Sequence, residues 1–233
     1  MSTKSFVLSA EEVARLNEEY LNKSPEEILQ LAFEKVENIA FACSFGAEDV
    51  AIVDMIVKIK PDAKIFYLDT DLLFAETYEV RDRILEKYSA NLIKYSPLLT
   101  LEEQSDRHGA ELWKSDPNGC CGIRKVEPLQ RALGELDAWI TGIRREQSPT
   151  RAEAGVVELD TKFNLIKFNP IVMWSDKQVW DYITANDVPY NKMHDQGYPS
   201  IGCTHCTRSV KPGEDPRAGR WAGHEKTECG LHQ

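Results

Sequence analysis

Short apolar runs alternate with helix-length stretches along most of this chain, and that alternation limits the possible folds more than any other feature. NIAFACS (38–44), KIFYLDT (64–70), NLIKYSP (91–97), DAWITGI (137–143) and LIKFNP (165–170) have the length and apolar density of buried strands. Between them lie VAIVDMIVKI after the turn SFGAED, LFAETYEVRDRILEKY, and a mostly helical stretch from Leu101 to Leu133. The pattern predicts an α/β fold: a doubly wound, mostly parallel sheet with helices on both faces. Two helices, 11–22 and 25–36, precede the first strand. The second opens with Ser24-Pro25-Glu26-Glu27, which supplies an N-cap, a proline at the first helical position and a capping-box glutamate. A last helix begins at Ser175, with Gln178 three residues on. At 233 residues the chain suits one core domain. The expected organisation is a helical N-terminal extension (1–37), an α/β core (38–189) and a C-terminal segment (190–233). That last segment is rich in Gly and Pro, lacks periodicity and reads as a mobile closing tail.

MSTKSFVLSAEEV contains no apolar run of signal-peptide length, and no segment approaches the roughly 18 apolar residues that span a bilayer. The expectation is a cytoplasmic protein with no membrane partner. Thiols stay reduced in that compartment, so six cysteines point to metal binding or catalysis before disulfides. A formal net charge of -10 argues against nucleic acid as a partner. Basic residues nevertheless concentrate where cysteines do. Residues 120–151 hold six basic against four acidic side chains, and residues 203–226 hold five against three. A small anionic substrate would require such an imbalance.

Cys203-Thr204-His205-Cys206 is a C-x-x-C pair whose thiolates reach one metal from a single turn of chain, and Cys120-Cys121 supplies the other two sulfurs of a tetrahedral set. A redox pair of the thioredoxin type would lie at the start of an early helix; this one lies near the end of the chain. Spacing alone leaves structural zinc and an iron–sulfur cluster level. Cys229, in the terminal Glu228-Cys229-Gly230-Leu231-His232, is either part of a frayed end or a nucleophile. Lys226 and His232 lie nearby in sequence, and Arg217 and Arg220 could approach to stabilise its thiolate. Cys43, inside an expected strand, reads as a small buried hydrophobe.

Three turns end strands on the edge where ligands of such sheets bind. Ser44-Phe45-Gly46-Ala47-Glu48-Asp49 offers backbone N–H groups and a helix N-terminus to an anion. Leu68-Asp69-Thr70-Asp71 places Asp69 where it could bind a ribose or base or simply cap a helix. Thr141-Gly142-Ile143-Arg144-Arg145-Glu146 has Gly142 for close backbone approach, with Arg151 following after a loop. The five tryptophans, including Trp174, Trp180 and Trp221, read as packing residues.

From about Phe41 to the C-terminus, ACSFGAED, LDTDLLFAETY, CCGIRKVEPL, TGIRREQSPTR, IGCTHCTR, GEDPRAGRW and the terminal ECGLH follow one another in order. Together they resemble the assimilatory sulfonucleotide reductases, specifically the cluster-containing adenylyl-sulfate (APS) reductase branch of the PAPS reductase family. The resemblance implies an adenine-nucleotide α-hydrolase-like, nucleotide-binding core and one 4Fe-4S cluster on Cys120, Cys121, Cys203 and Cys206. It implies that Cys229 attacks the sulfate sulfur of APS, expelling AMP and leaving an S-sulfonocysteine, from which thioredoxin or a similar dithiol releases sulfite during sulfate assimilation and cysteine biosynthesis. It also implies substrate binding by Lys125, Arg217, Arg220 and His232 on the anionic groups, and by Ser44, Gly46, Asp69, Gly142 and Arg151 toward the nucleotide. Positive charge of this kind offsets repulsion of an attacking thiolate and supports a leaving phosphate.

Relatives without the cluster cysteines resemble PAPS reductases, so the cysteine set favours APS, with a PAPS or dual APS/PAPS reductase as the alternative. Asp71 occupies a position that in the family is often small or basic, and an acid facing the ribose would disfavour an additional phosphate. An enzyme that adenylates its substrate would want a Ser-Gly-Gly-rich loop, which Phe45 and Ala47 do not supply. A non-catalytic cluster or zinc sensor would leave ECGLH unexplained. Whether copies of the chain form a homo-oligomer is open at this point.

Overall fold

The computed structural model describes residues 7–224 together with Lys226, Gly230 and Leu231. Two capped helices come first, α1 (Ala10–Tyr20) and α2 (Pro25–Lys35). Ser9 and Ser24 each accept a hydrogen bond from the backbone N–H three residues on, and Glu12 and Glu27 accept in return from the serine N–H groups. Both helix starts are thus closed by capping boxes.

The strands are β1 (Ile39–Ala42), β2 (Lys64–Leu68), β3 (Leu92–Tyr95), β4 (Ala138–Ile140), β5 (Val157–Asp160) and β6 (Leu165–Phe168). They form one sheet in the order β3-β2-β1-β4-β6-β5. β1 runs parallel to β2 and β4, and β4 parallel to β6. The doubly wound α/β expectation is therefore met, with one addition. β5 is an antiparallel edge strand beside β6, and the alternation of apolar runs does not predict it. Its four residues, VELD, carry one apolar pair and two acids, too little to stand out as a strand.

Helices α3 (Ala47–Ile59) and α4 (Ala75–Tyr88) follow β1 and β2. Val50, Ala51, Ile52, Val53, Met55 and Ile56 are all fully buried, so α3 is apolar on nearly every side. The expected helical stretch from Leu101 to Leu133 is divided. It contains α5 (Leu101–His108), α6 (Leu112–Ser115), α7 (Pro117–Cys121), a π-helical turn (Gly122–Val126) and α8 (Glu127–Leu133). Gly109, with φ of 88°, ends α5, and Asp116 caps α7 ahead of Pro117. α9 (Asp176–Ala185) starts from the Ser175–Gln178 capping box read from the sequence.

The chain divides into two units. The first comprises residues up to Tyr67, Arg83–Ile93 and Leu133–Tyr190, and holds most of the sheet. In it α3 packs against α2 and α9. Asp54, buried on α3, accepts from the Tyr88 and Tyr182 hydroxyls at 2.9 and 2.7 Å and pairs with Lys58 at 2.6 Å. The second comprises Leu68–Asp82, Lys94–Ala132 and the chain from Asn191 onward. There the irregular C-terminal segment, expected as a mobile tail, is tied down as far as His224. Thr204 N–H donates to Leu72 O at 2.8 Å, Cys203 bridges Leu73, and Thr207 bridges Arg220. Isolated bridges of this kind have no periodic signature in sequence. Among the described residues no helix is long and apolar enough to cross a membrane.

Candidate active site

In the first unit the turn after β1 closes on itself. Ser44 donates to Asp49 Oδ2 through both its backbone N–H, at 2.6 Å, and its hydroxyl, at 2.5 Å. Gly46 caps α3 without a side-chain hydrogen bond, so the first turn of that helix keeps N–H groups for other acceptors. Phe45 sits in left-handed backbone at φ 62°, an uncommon conformation for an aromatic residue, and is held there by burial with its ring edge-on to Tyr67. Burial pushes the Asp49 carboxyl up to about 6, against the lowering effect of its two bonds from Ser44; Glu48 adds to the rise and Arg151 opposes it.

β4 pairs with β1, which brings its following turn to the same loop. A Cβ on Gly142 would collide with the Asp49 carboxylate. The backbone at Gly142 therefore lies directly against Asp49. Next to it, Arg144 donates from Nε and Nη2 to Glu48 Oε1 at 3.0 and 2.8 Å, from Nη2 to Asp176 at 3.2 Å and from Nη1 to Trp174 O at 3.3 Å. Gln147 donates to the same Glu48 oxygen at 2.8 Å and accepts from Arg151 Nη1 at 2.5 Å. Ser44 and Gly46 thus lie in the hydrogen bonds around Asp49, which Gly142 abuts, and Arg151 lies in those around Glu48.

In the second unit Cys120, Cys121, Cys203 and Cys206 line a single narrow cavity, partly open to solvent, with Lys125, Arg124, Arg220, Leu72, Trp113, His205 and Trp221. Three of the four sulfurs belong to buried residues, and Cys206 is half-buried. Burial, followed by repulsion from the other thiols, pushes the Cys120 thiol up to about 12 and raises that of Cys206; Lys125 and Arg220 partly offset the latter. A bound metal centre would reverse this by taking up the thiolates. Thr70 Oγ1 lies 3.3 Å from Cys203 Sγ. Trp113 stacks on His205 with centroids 4.1 Å apart, and the Arg220 guanidinium lies 4.5 Å above Trp221. Trp221 thus packs, as expected, but in the cavity wall. A Cβ on Gly202 would collide with that guanidinium, so the glycine makes room for it.

Two buried guanidinium N–H positions of this wall, Arg124 Nη2 and Arg220 Nε, have no hydrogen-bond acceptor among the described residues. Four sulfurs together with orphaned donors fit a sulfur-rich anionic group. Among the described residues no group of three or more His, Cys, Asp or Glu side chains is arranged to hold a single metal ion.

Of the other expected site residues, Asp69 is buried in the second unit, accepting from Tyr78 OH at 2.7 Å and from Asp71 N–H at 3.1 Å, with Lys94 at 3.9 Å. Arg217 is half-buried, its N–H donating to Asp215 at 2.7 Å. Lys226 donates to Asn118 Oδ1 at 2.7 Å and to Pro117 O at 3.3 Å, which ties it to the start of α7. Cys229 and His232 lie outside the described residues. Residues that the sequence reading did not single out are Arg124, Gln104, Thr70, Trp113 and His205. Arg124 follows the cysteine pair closely and could have been found from that spacing; the others become neighbours of the sulfurs only through folding.

The Phosphoadenosine phosphosulfate reductase domain profile matches residues 38–209. The chain is 51% identical to the Adenosine 5'-phosphosulfate reductase of Lysinibacillus sphaericus, over 89% of this chain and 90% of that protein. It is 52% identical to Adenosine 5'-phosphosulfate reductase 2 of Bacillus subtilis, over 84% of each. The crystal structure of phosphoadenylyl-sulfate (PAPS) reductase from Candida auris, a phosphate complex, superposes with a TM-score of 0.79 at 35% identity, covering 89% of this chain and all of that one. The FMN adenylyltransferase of Candida glabrata, at 14% identity and a TM-score of 0.58, shares the fold. With a sheet of this topology, a profile spanning most of its length and relatives half identical to it, the chain belongs to the phosphoadenosine phosphosulfate reductase domain family.

Proposed function

We propose that the chain is an oxidoreductase that reduces adenylyl sulfate to sulfite and AMP in sulfate assimilation, with a 4Fe-4S cluster on Cys120, Cys121, Cys203 and Cys206. The observation that carries this reading is the cavity that gathers those four cysteines with Lys125 and Arg220, in a chain half identical to proteins named for that activity. The cluster, when bound, supplies a compact array of charge beside the basic residues. Cys229 is the nucleophile. Its thiolate attacks the sulfate sulfur, an S–S bond forms, the S–O bond to phosphate breaks, and AMP leaves with the electron pair. A dithiol of the thioredoxin kind then attacks the cysteine sulfur, sulfite leaves, and the dithiol is oxidised to a disulfide as Cys229 returns to the thiol. Lys125, Arg217, Arg220 and His232 take the anionic oxygens, where positive charge lowers the barrier to thiolate attack. Ser44, Gly46, Asp69, Gly142 and Arg151 are assigned to the nucleotide. The domain organisation proposed is that of the sequence reading: an extension over 1–37, the core over 38–189, and a C-terminal segment over 190–233 that carries two cluster ligands and the nucleophile.

The test is anaerobic purification, visible absorption and assay of iron and sulfide, then incubation with APS and mass analysis of the C-terminal peptide. The expected results are a brown protein and a Cys229 peptide heavier by one sulfonate. Cys229→Ser should lose sulfite formation by roughly a thousandfold or more, as removal of a nucleophile does. A colourless protein with stoichiometric zinc, or native sulfite formation by Cys229→Ser, would sink the reading.

A further inference from the structure

Arg124 is the deepest charge near the cysteines. It lies in the π-helical turn directly after Cys120-Cys121 and is 1% exposed. Burying a guanidinium is costly unless its charge and its fork of N–H groups are met. Three of its contacts are plain. Nε donates to Gln104 Oε1 at 2.8 Å, and Nη1 donates to Asp71 Oδ2 at 2.9 Å and to Thr70 O at 3.4 Å. Nη2, by contrast, is buried without an acceptor among the described residues, on a side chain that lines the four-cysteine cavity.

The partner of this arginine is also informative. Asp71 takes left-handed backbone at φ 58°, just after β2, and Thr70 beside it is the residue whose hydroxyl approaches Cys203. Asp71 keeps 45% of its side chain exposed. The acid considered in the sequence as a possible repellent of a ribose phosphate is thus engaged with Arg124. A half-exposed acid and a neutral amide answer Nη1 and Nε, while the donor capacity of Nη2 has no acceptor among the described residues. Four thiolates bring more negative charge than an iron–sulfur core cancels, so the liganded cavity is an acceptor of the missing kind.

Resting on the cluster reading above, we infer that Arg124 is a positioning residue for the cluster: its Nη2 donates to the sulfur array, and Asp71 and Gln104 orient it and set how much of its charge the cluster feels. A permanently charged donor stabilises the more negative, reduced state of a cluster, so removing it makes reduction harder. Removing Asp71 takes away a competing negative charge and makes reduction easier. The two substitutions therefore push the potential in opposite directions, whereas a merely structural role of the pair would not give opposed shifts.

The experiment uses the full-length protein purified anaerobically with its cluster, in native form and as Arg124→Gln, Arg124→Lys and Asp71→Asn. Iron and sulfide content and the cluster midpoint potential are read by assay and by spectroelectrochemical titration. Arg124→Gln is expected to shift the midpoint to more negative values, Arg124→Lys to restore part of that shift, and Asp71→Asn to shift it to more positive values at native iron content. If Arg124→Gln retains too little iron to titrate, the Lys and Asn variants carry the test on their own. Unchanged potentials at native iron content overturn the inference and leave the cluster reading standing. A shift of Asp71→Asn in the negative direction, or an altered preference between APS and PAPS with no shift in potential, also overturns it. A native protein without iron overturns both.

Discussion

The loop of the first unit and the cavity of the second both gather charge out of solvent, and they satisfy it differently. In the loop the groups answer one another. Ser44 meets Asp49, Arg144 meets Glu48 and Asp176, and Gln147 links Glu48 to Arg151. In the cavity burial, and the repulsion that neighbouring thiolates would feel, keep the Cys120 thiol protonated, and two guanidinium donors are left over. A self-satisfied network holds its shape without a ligand, whereas a cavity of clustered thiols and orphaned donors reaches its best state only when something fills it. Substitutions in the loop should therefore register first in stability, and those in the cavity first in bound iron and turnover.

The sharpest way to break this contrast is Cys203→Ala. We expect loss of bound iron and a fall in sulfite formation of roughly a hundredfold or more, since a lost ligand costs at least what a lost outer-shell partner does. An iron-replete, active variant would mean that the cavity, like the loop, holds its shape without its ligand. Arg144→Met is the counterpart. It leaves Glu48 without its main partner, and the expected loss is about 3 kcal/mol of unfolding free energy, read from urea midpoints, with iron content preserved. Loss of iron at unchanged stability would reverse the comparison.

A pH series reads the loop more finely. Asp49 holds its proton more tightly in the folded chain, at about 6, than at its ordinary value of 3.8 in the unfolded chain. Its contribution is therefore most favourable below about 4, declines as pH rises through that window and is least favourable above about 6. The change amounts to about 3 kcal/mol at about 1.4 kcal/mol per unit. Subtracting the urea-midpoint profile of Asp49→Asn from that of the native chain should reveal this slope. A flat difference between pH 4 and 6 would mean that the Ser44 bonds fully offset burial.

Much of this architecture can be read in the residues, because its causes are local. Ser24-Pro25-Glu26-Glu27 and Ser175 with Gln178 announce helix starts by chemistry that operates over three residues, and IAFA or KIFYL could be little else than buried strand. What stayed hidden depends on distant partners. Val157–Asp160 becomes a strand because Leu165–Phe168 offers it an edge. The run DAWITGI yields only Ala138–Ile140 as strand, since the chain then turns toward the loop around Asp49. For the site, the cysteine spacing and the basic clusters were legible, and so was Lys125. The pairing of Arg124 with Asp71, 53 positions apart, was not, because it depends on a left-handed residue and on a widened helical turn.

That widened turn has a consequence for how the chain tolerates change in length. A π turn is an α-helix carrying one residue too many, so Gly122–Val126 absorbs an extra residue while the cysteine pair and α8 keep their helical phase. Deleting a single residue within it would let the segment relax to ordinary helix, about four residues at about 100° each replacing five in the wide turn, so α8 would keep its phase and the change would fall on the turn itself. Helicity would survive such a deletion, but Arg124 and Lys125 could no longer both keep their places in the cavity wall. Insertions and deletions are commonly harmless in loops and harmful in cores; here one would be silent in circular dichroism and decisive for the chemistry.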